Sequence, residues 1–227
     1  FEHIITLMEN IMNANQQKYD CWALFVDIRK AFDTVDHIKL LRCIEERMKL
    51  MKDCPFMSYL HNMYSNLYYQ VKIGNSLSEI FIQLMGIKQG CTLSPVLFII
   101  YFNAVVEAVE AANEEGQKEA REKESHPIAT SMGLYYADDT VVTTPGHAGM
   151  QRALTIICEH FDYLQLGLNR GKTQIMIFTP AKTTSCRSKT TSDSQYPVGS
   201  TITFQTPTAL QPGLTTTLEV VGEYPYL

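Results

Sequence analysis

Three carboxylates define the chemistry this sequence could do. Asp27 stands at the end of Trp22-Ala23-Leu24-Phe25-Val26, an apolar run of strand length. Asp138-Asp139 stands between Tyr135-Tyr136 and Val141-Val142. A lone Asp at a strand end is ordinarily a turn former. An acidic pair flanked by half-buried strand residues is less ordinary, because like charges repel by about 4 kcal/mol at 4 Å and an effective dielectric of 20. A divalent cation removes that penalty: Mg²⁺ favours carboxylate oxygens and keeps waters that a phosphate can replace. Two carboxylates on one hairpin and a third on a neighbouring strand form the donor set that two-metal phosphoryl transfer uses.

Hydrophobic periodicity gives the elements that must position them. Ile4, Leu7, Met8, Ile11 and Met12 recur as one face of a helix over 4–18. The run that ends at Asp27 suits a strand covered on both faces. Ile38, Leu41, Ile44 and Met48 predict a helix after a turn near Asp36, and another spans about 56–67. Tyr69 to Ile73 alternates, Gly74-Asn75-Ser76 turns, and Ile80-Phe81-Ile82 returns, which is a hairpin pattern. Ser94-Pro95 reads as an N-cap and first helical residue, opening a helix with a wide apolar face through Val109. The charged stretch 113–125 reads as a solvated helical extension or a surface loop. Residues 134–142 read as two short strands meeting at the acidic pair, 149–166 as a helix stopped before Gly167, and 174–178 as a strand. The order β-α, hairpin, α, hairpin, α, β is an α+β pattern rather than a doubly wound one. From Thr179 to Thr217, Ser and Thr supply 17 of 39 residues, with four Pro. That composition offers few large apolar side chains to offset ordering entropy, so 179–217 is expected to be a linker or disordered. The chain thus divides into 1–178, the stretch 179–217, and a final strand at 218–227.

Composition bounds the class. The 227 residues suit one domain, and 45% hydrophobic with 19% charged residues excludes wholesale disorder. There is no run of 18 apolar residues, which speaks against a membrane span. Lys and Arg number 19 against 24 Asp and Glu, a net charge of −5. That is opposite to the basic excess of most nucleic-acid binders, so such a function would rest on local chemistry. The six Cys form no C-x-x-C and no zinc-finger spacing, and read as reduced, mostly buried thiols of an intracellular protein. The start, Phe1-Glu2-His3, has no basic n-region and reads as a piece of something longer without a signal peptide.

Several of these residues fall into motifs. Phe25-Val26-Asp27-Ile28-Arg29-Lys30-Ala31-Phe32-Asp33-Thr34-Val35 resembles the first palm motif of reverse transcriptases in its retrotransposon form. Gln89-Gly90-Cys91-Thr92-Leu93-Ser94-Pro95-Val96-Leu97-Phe98 resembles their second motif, Tyr136-Ala137-Asp138-Asp139 their Y-x-D-D box, and Gly167-Leu168-Asn169-Arg170-Gly171-Lys172-Thr173 their fourth. Residues 218–227 are similar to the start of the primer-grip region. In this order and spacing they resemble the reverse transcriptase domain of a non-LTR (LINE-type) retrotransposon, over about 1–178 and the last ten residues.

The resemblance implies a right-hand palm, an antiparallel sheet packed on helices, with fingers incomplete and thumb missing. It implies a polymerase that copies RNA into DNA with two Mg²⁺ ions, for which Mn²⁺ can substitute. Asp27 and Asp138 would hold both ions, Asp139 would contribute at the same site, and the backbone near Ile28 would face the ion that carries the nucleotide. Phe32 falls at the sugar-gate position, where a bulky ring leaves no room for a 2′-hydroxyl; core packing is the ordinary use of such a ring. Gln89 and Gly90 would lie against the nucleotide and template, and Ser94 and Pro95 near the template strand. Lys172 would be a general acid or a charge near the phosphates, with Asn169 ordering its loop as a turn residue. Asp33 would be structural or capping. The implied partners are an RNA template, a DNA primer and dNTPs, with no membrane, in nucleus or cytoplasm. Little or no polymerisation is expected from this stretch alone. Two other readings stay open: a non-catalytic retroelement remnant acting as a nucleic-acid or protein interaction module, and an intron maturase-type polymerase. Ala137 and Phe32 speak against a viral RNA-copying polymerase.

Overall fold

A computed structural model describes residues 2–49, 54–65, 67–122, 132–136, 138–179, 201–205 and 215–225. In chain order the elements are α1 (Glu2–Gln16), β1 (Cys21–Val26), β2 (Ile28–Arg29), α2 (His37–Met48), α3 (Pro55–Ser65), β3 (Tyr68–Tyr69), β4 (Lys72–Ile73), β5 (Ser76–Leu77), β6 (Phe81–Ile82), α4 (Ser94–Glu122), β7 (Met132–Tyr136), β8 (Asp139–Pro145), α5 (Gly146–Leu164), β9 (Gly167–Leu168), β10 (Gln174–Thr179), β11 (Thr201–Gln205) and β12 (Thr215–Pro225). They divide into two compact units, one of residues 1–29, 105–162 and 168–227, the other of residues 30–104 and 163–167. Helices and sheet are mixed as the α+β pattern requires.

The first unit holds a six-stranded sheet in the order β11-β12-β10-β1-β8-β7. Its apolar run makes β1 a central strand: Cys21, Trp22, Ala23, Leu24 and Val26 are all buried. Antiparallel β10 lies on one side and antiparallel β8 on the other. The sheet is not wholly antiparallel as expected, because β10 and β12 run parallel, with a register shift between Ile175 and Met176. Helix α5 buries Met150, Leu154, Ile157 and Phe161 at helical spacing. The left-handed residue that follows it is Gln165, at φ 59, and not the expected Gly167. Helix α1 packs on β1 and β8, yet only Ala14 is fully buried, and Ile4, Met8 and Met12 of the expected face are exposed.

One expectation needs correction. β11 and the first residues of β12 lie inside 179–217, the stretch expected to be a linker, and they pair antiparallel with each other. Thr content marks polarity, but its branched Cβ also favours extended backbone, and Thr201-Ile202-Thr203-Phe204 is a good strand sequence on that ground. Residues 180–200 and 206–214 lie outside the described residues, as do 123–131 of the charged stretch and 226–227 at the end of the final strand.

The first helix of the second unit is capped. The Asp36 carboxylate accepts the Lys39 N–H at 2.8 Å, which closes the N-terminus of α2. Leu40, Leu41, Cys43 and Ile44 are its buried stripe, while Ile38 is 73% exposed. The expected hairpin is present in nested form, β3 on β6 and β4 on β5 around Gly74-Asn75. Helix α4 starts in this unit with Leu97, Phe98, Tyr101 and Phe102 buried. Phe98 stacks on Phe32 at 5.0 Å and on Phe102 at 5.9 Å. The Tyr101 hydroxyl donates to the Leu164 carbonyl. Residues 94–115 of α4 are long and apolar enough, by length and composition, to cross a membrane. Part of that composition is buried stripe, while Val96 and Ile99 are exposed. The charged stretch is helical through Glu122, as one of its two expected forms.

Burial also sets the thiols. It pushes Cys21 up to about 12 and Cys158 up to about 11, from an ordinary value of 9.0. The folded state therefore keeps protons that the unfolded chain gives up. Stability from these groups is complete below pH 9 and is lost as pH rises toward 11–12, by about 1.4 kcal/mol per pH unit for each thiol. Unfolding temperatures measured between pH 8 and 10.5 should fall less steeply for Cys21→Ala than for the parent; parallel slopes would refute this.

Candidate active site

Asp27 follows directly on β1, whose last residue, Val26, pairs with Thr140 of β8. That pair is the last of the ladder, and Asp27 and Asp139 are the residues that come next beyond it on the two strands. β7 and β8 form a tight hairpin in which Tyr136 pairs with Asp139, leaving Asp138 in the turn. Asp138 and Asp139 are both exposed, and Asp27 is half-buried. The sheet therefore carries two of the expected acidic residues at the same end of neighbouring strands, with the third in the turn beside them.

The carboxylate of Asp27 is already engaged. Asn169 Nδ2 donates to its Oδ2 at 2.8 Å, and Lys172 Nζ stands 3.9 Å from its Oδ1. The backbone is held too. Asn169 N–H donates to the Asp27 carbonyl at 2.9 Å, and the Asp27 N–H donates to the buried Thr173 hydroxyl at 3.1 Å. Lys172 and Thr173 both return their N–H groups to the Asn169 carbonyl, so residues 169–173 form one turn wrapped on Asp27. Lys172 is 71% exposed, so the ion pair is a weak, solvent-screened one.

The donors fit a hard divalent cation in type, since all three are carboxylates with no thiolate or imidazole among them. Oδ1 of Asp27 also faces a positive group, as a cation ligand would. They do not form a cage: among the described residues no three His, Cys, Asp or Glu side chains come together to hold a metal. Ile28 is buried in β2 next to Asp27.

The remaining expected residues belong to the second unit. The Phe32 ring is half-buried and stacked on Phe98, so it is a packed side chain whatever else it does. Gln89 is exposed, and its Nε2 donates to Asp33 Oδ1 at 2.9 Å. Gly90 has φ +80, and a Cβ there would meet nothing within 4 Å, so the turn requires glycine for its backbone and not for close approach. Gly86, not singled out by the motifs, is the tighter case: at φ +88 an added Cβ would lie 2.8 Å from the Asp33 carbonyl oxygen. Ser94 is buried but does not cap. It lies in the first turn of α4, and its hydroxyl donates to the Lys88 carbonyl at 2.6 Å. Pro95 beside it is exposed. A cavity of about 470 Å³ in this unit is lined by residues including His37, Arg42, Glu45, His61 and Tyr64, none of them an expected site residue.

Asn169 and Thr173 touch Asp27 directly, which their sequence context does not reveal. Their signal is an Asn and a Thr flanking a Lys within a single turn.

Residues 1–206 match the family described as reverse transcriptase (RNA-dependent DNA polymerase). This chain belongs to the reverse transcriptase family. Over 190 residues this reverse transcriptase chain is 33% identical to the retrovirus-related Pol polyprotein from type-1 retrotransposable element R2 of Popillia japonica, covering 79% of the chain and 29% of that protein. Over 100 residues it is 30% identical to the probable RNA-directed DNA polymerase from transposon X-element of Drosophila melanogaster, covering 44% of the chain and 11% of that protein. Both of these relatives come from transposable elements, as the motifs imply. The fold is shared with apo telomerase from Candida tropicalis truncated from its C-terminal domain, at a TM-score of 0.56 and 15% identity over 82% of this chain and 36% of that one. The reverse transcriptase chain thus spans less than a third of the first two relatives.

Proposed function

We propose that this chain carries the nucleotidyl-transfer site of an RNA-directed DNA polymerase of a non-LTR retrotransposon, adding a dNTP to a primer 3′-hydroxyl opposite an RNA template. The observation that supports it most is the placement of Asp27 and Asp139 one residue beyond the last pair, Val26 with Thr140, of two neighbouring strands. Asp27, Asp138 and Asp139, with the backbone of Ile28, would hold Mg²⁺ or Mn²⁺. Bound there, paired ions would lower the pKa of the 3′-hydroxyl and neutralise the triphosphate. Lys172, on an exposed turn, would offer charge or a proton to the departing pyrophosphate. The Phe32 ring, seated on Phe98, would discriminate against a 2′-hydroxyl. Gln89, its amide fixed by Asp33, would contact nucleotide or template together with Gly90. Ser94 and Pro95 would set the first turn of α4 toward the template.

A second reading, an interaction module without chemistry, draws on one observation: among the described residues no three His, Cys, Asp or Glu side chains come together to hold a metal. Mn²⁺ titration separates the two. The parent chain should bind Mn²⁺, and Asp138→Ala should weaken that binding by roughly ten-fold or more at an unchanged unfolding temperature. Binding indifferent to Asp27, Asp138 and Asp139 would leave the interaction module. Processive extension by the isolated chain, abolished in Asp138→Ala, would overturn the expectation that this stretch alone polymerises little.

A further inference from the structure

We propose that Asn169 is a positioning residue of the candidate site: its side-chain amide pins one oxygen of Asp27 and leaves the other to be offered to a cation. This rests on the reading of Asp27 as a metal ligand. A carboxylate has two equivalent oxygens and turns freely about its last bond. Here the two oxygens are made different. Oδ2 accepts a 2.8 Å hydrogen bond from Asn169 Nδ2, within charge-assisted range. Oδ1 has the Lys172 ammonium at 3.9 Å, beyond hydrogen-bond distance. The amide thus decides which oxygen faces the side where a positive charge sits.

The amide is itself well placed. Asn169 lies in the turn whose backbone is tied to Asp27 at both ends, through Asn169 N–H on the Asp27 carbonyl and the Thr173 hydroxyl on the Asp27 N–H. Thr173 is 1% exposed, so that anchor is inside the protein. Neither backbone anchor uses the Asn169 side chain. Removing the amide should therefore leave the turn in place and free only the carboxylate. Partners that orient a metal-ligating group characteristically carry about ten- to hundred-fold of metal affinity.

The test uses the 227-residue chain and Mn²⁺, with free ion counted by electron paramagnetic resonance. Asn169→Ala, and Asn169→Leu as a variant of near-native volume, should each bind Mn²⁺ about ten-fold more weakly than the parent. Both should unfold within about 2 °C of the parent, because the two backbone anchors persist. Asn169→His, which can present a ring N–H to the same oxygen, should recover part of the loss. Parent-like affinity in both Asn169→Ala and Asn169→Leu overturns the positioning role while the reading of Asp27 survives. A parent chain whose Mn²⁺ binding ignores Asp27→Asn overturns that reading and this role together. Loss of affinity only in step with a large fall in unfolding temperature would make Asn169 a folding residue and also overturn the proposal.

Discussion

Asp27→Asn should lower RNA-templated primer extension by about 10³-fold or more, the scale of several kcal/mol of lost transition-state stabilisation. The substitution keeps the shape of the side chain and removes its charge. The backbone bonds of residue 27 to Asn169 and Thr173 do not depend on that charge, so the strand end and the turn around it should persist. The introduced amide keeps an oxygen that can accept from Asn169 but carries no charge to balance the Lys172 ammonium. The measurement is single-nucleotide incorporation by a polymerase restored to the length of its relatives, parent against variant, with unfolding temperature alongside. Extension within ten-fold of the parent at equal stability would remove Asp27 from the chemistry.

Phe98→Ala should be a strongly damaging core substitution, at about 3–5 kcal/mol. Phe98 is fully buried and carries aromatic neighbours on two sides, Phe32 at 5.0 Å and Phe102 at 5.9 Å. Truncation loses the transfer term, leaves a cavity, and breaks two stacks, each of about 0.5–1.5 kcal/mol. For a chain of this size that corresponds to a fall of roughly 10 °C in unfolding temperature. Phe98→Leu, nearer in volume, should cost much less. It should also let the Phe32 ring move, so preference for dNTP over rNTP should relax in Phe98→Leu if Phe32 is the sugar gate. Equal stability of the Ala and Leu variants would show that the site collapses freely and that stacking contributes little.

Much of this architecture is legible from local pattern. The run before Asp27 is apolar at every position because β1 is flanked on both sides, and the helix after Asp36 begins where a carboxylate can cap it. The limits are equally physical. Periodicity gives α1 an apolar face but does not say what covers it, and the structure leaves Met8 and Met12 exposed. Parallel pairing of β10 with β12 joins segments far apart in sequence, and no local signal encodes such a partner. Strand β11 was hidden by composition, since Thr is both a polar and a β-branched residue. At the site the acidic residues stand out because their flanks are apolar. Asn169 does not, because its partner lies 142 positions away and a turn is the ordinary place for an Asn.

The two acidic elements differ in how firmly they are built in. β1 is ladder-bonded on both sides, whereas β7, which leads into Asp138, is the outermost strand and is bonded only to β8. Outer strands open at a smaller free-energy cost than inner ones. Asp27 is in effect bolted to the frame, and the Asp138 tip is sprung. Warming would first loosen the sprung side, so the Asp138 tip would lose its order well before the frame itself came apart.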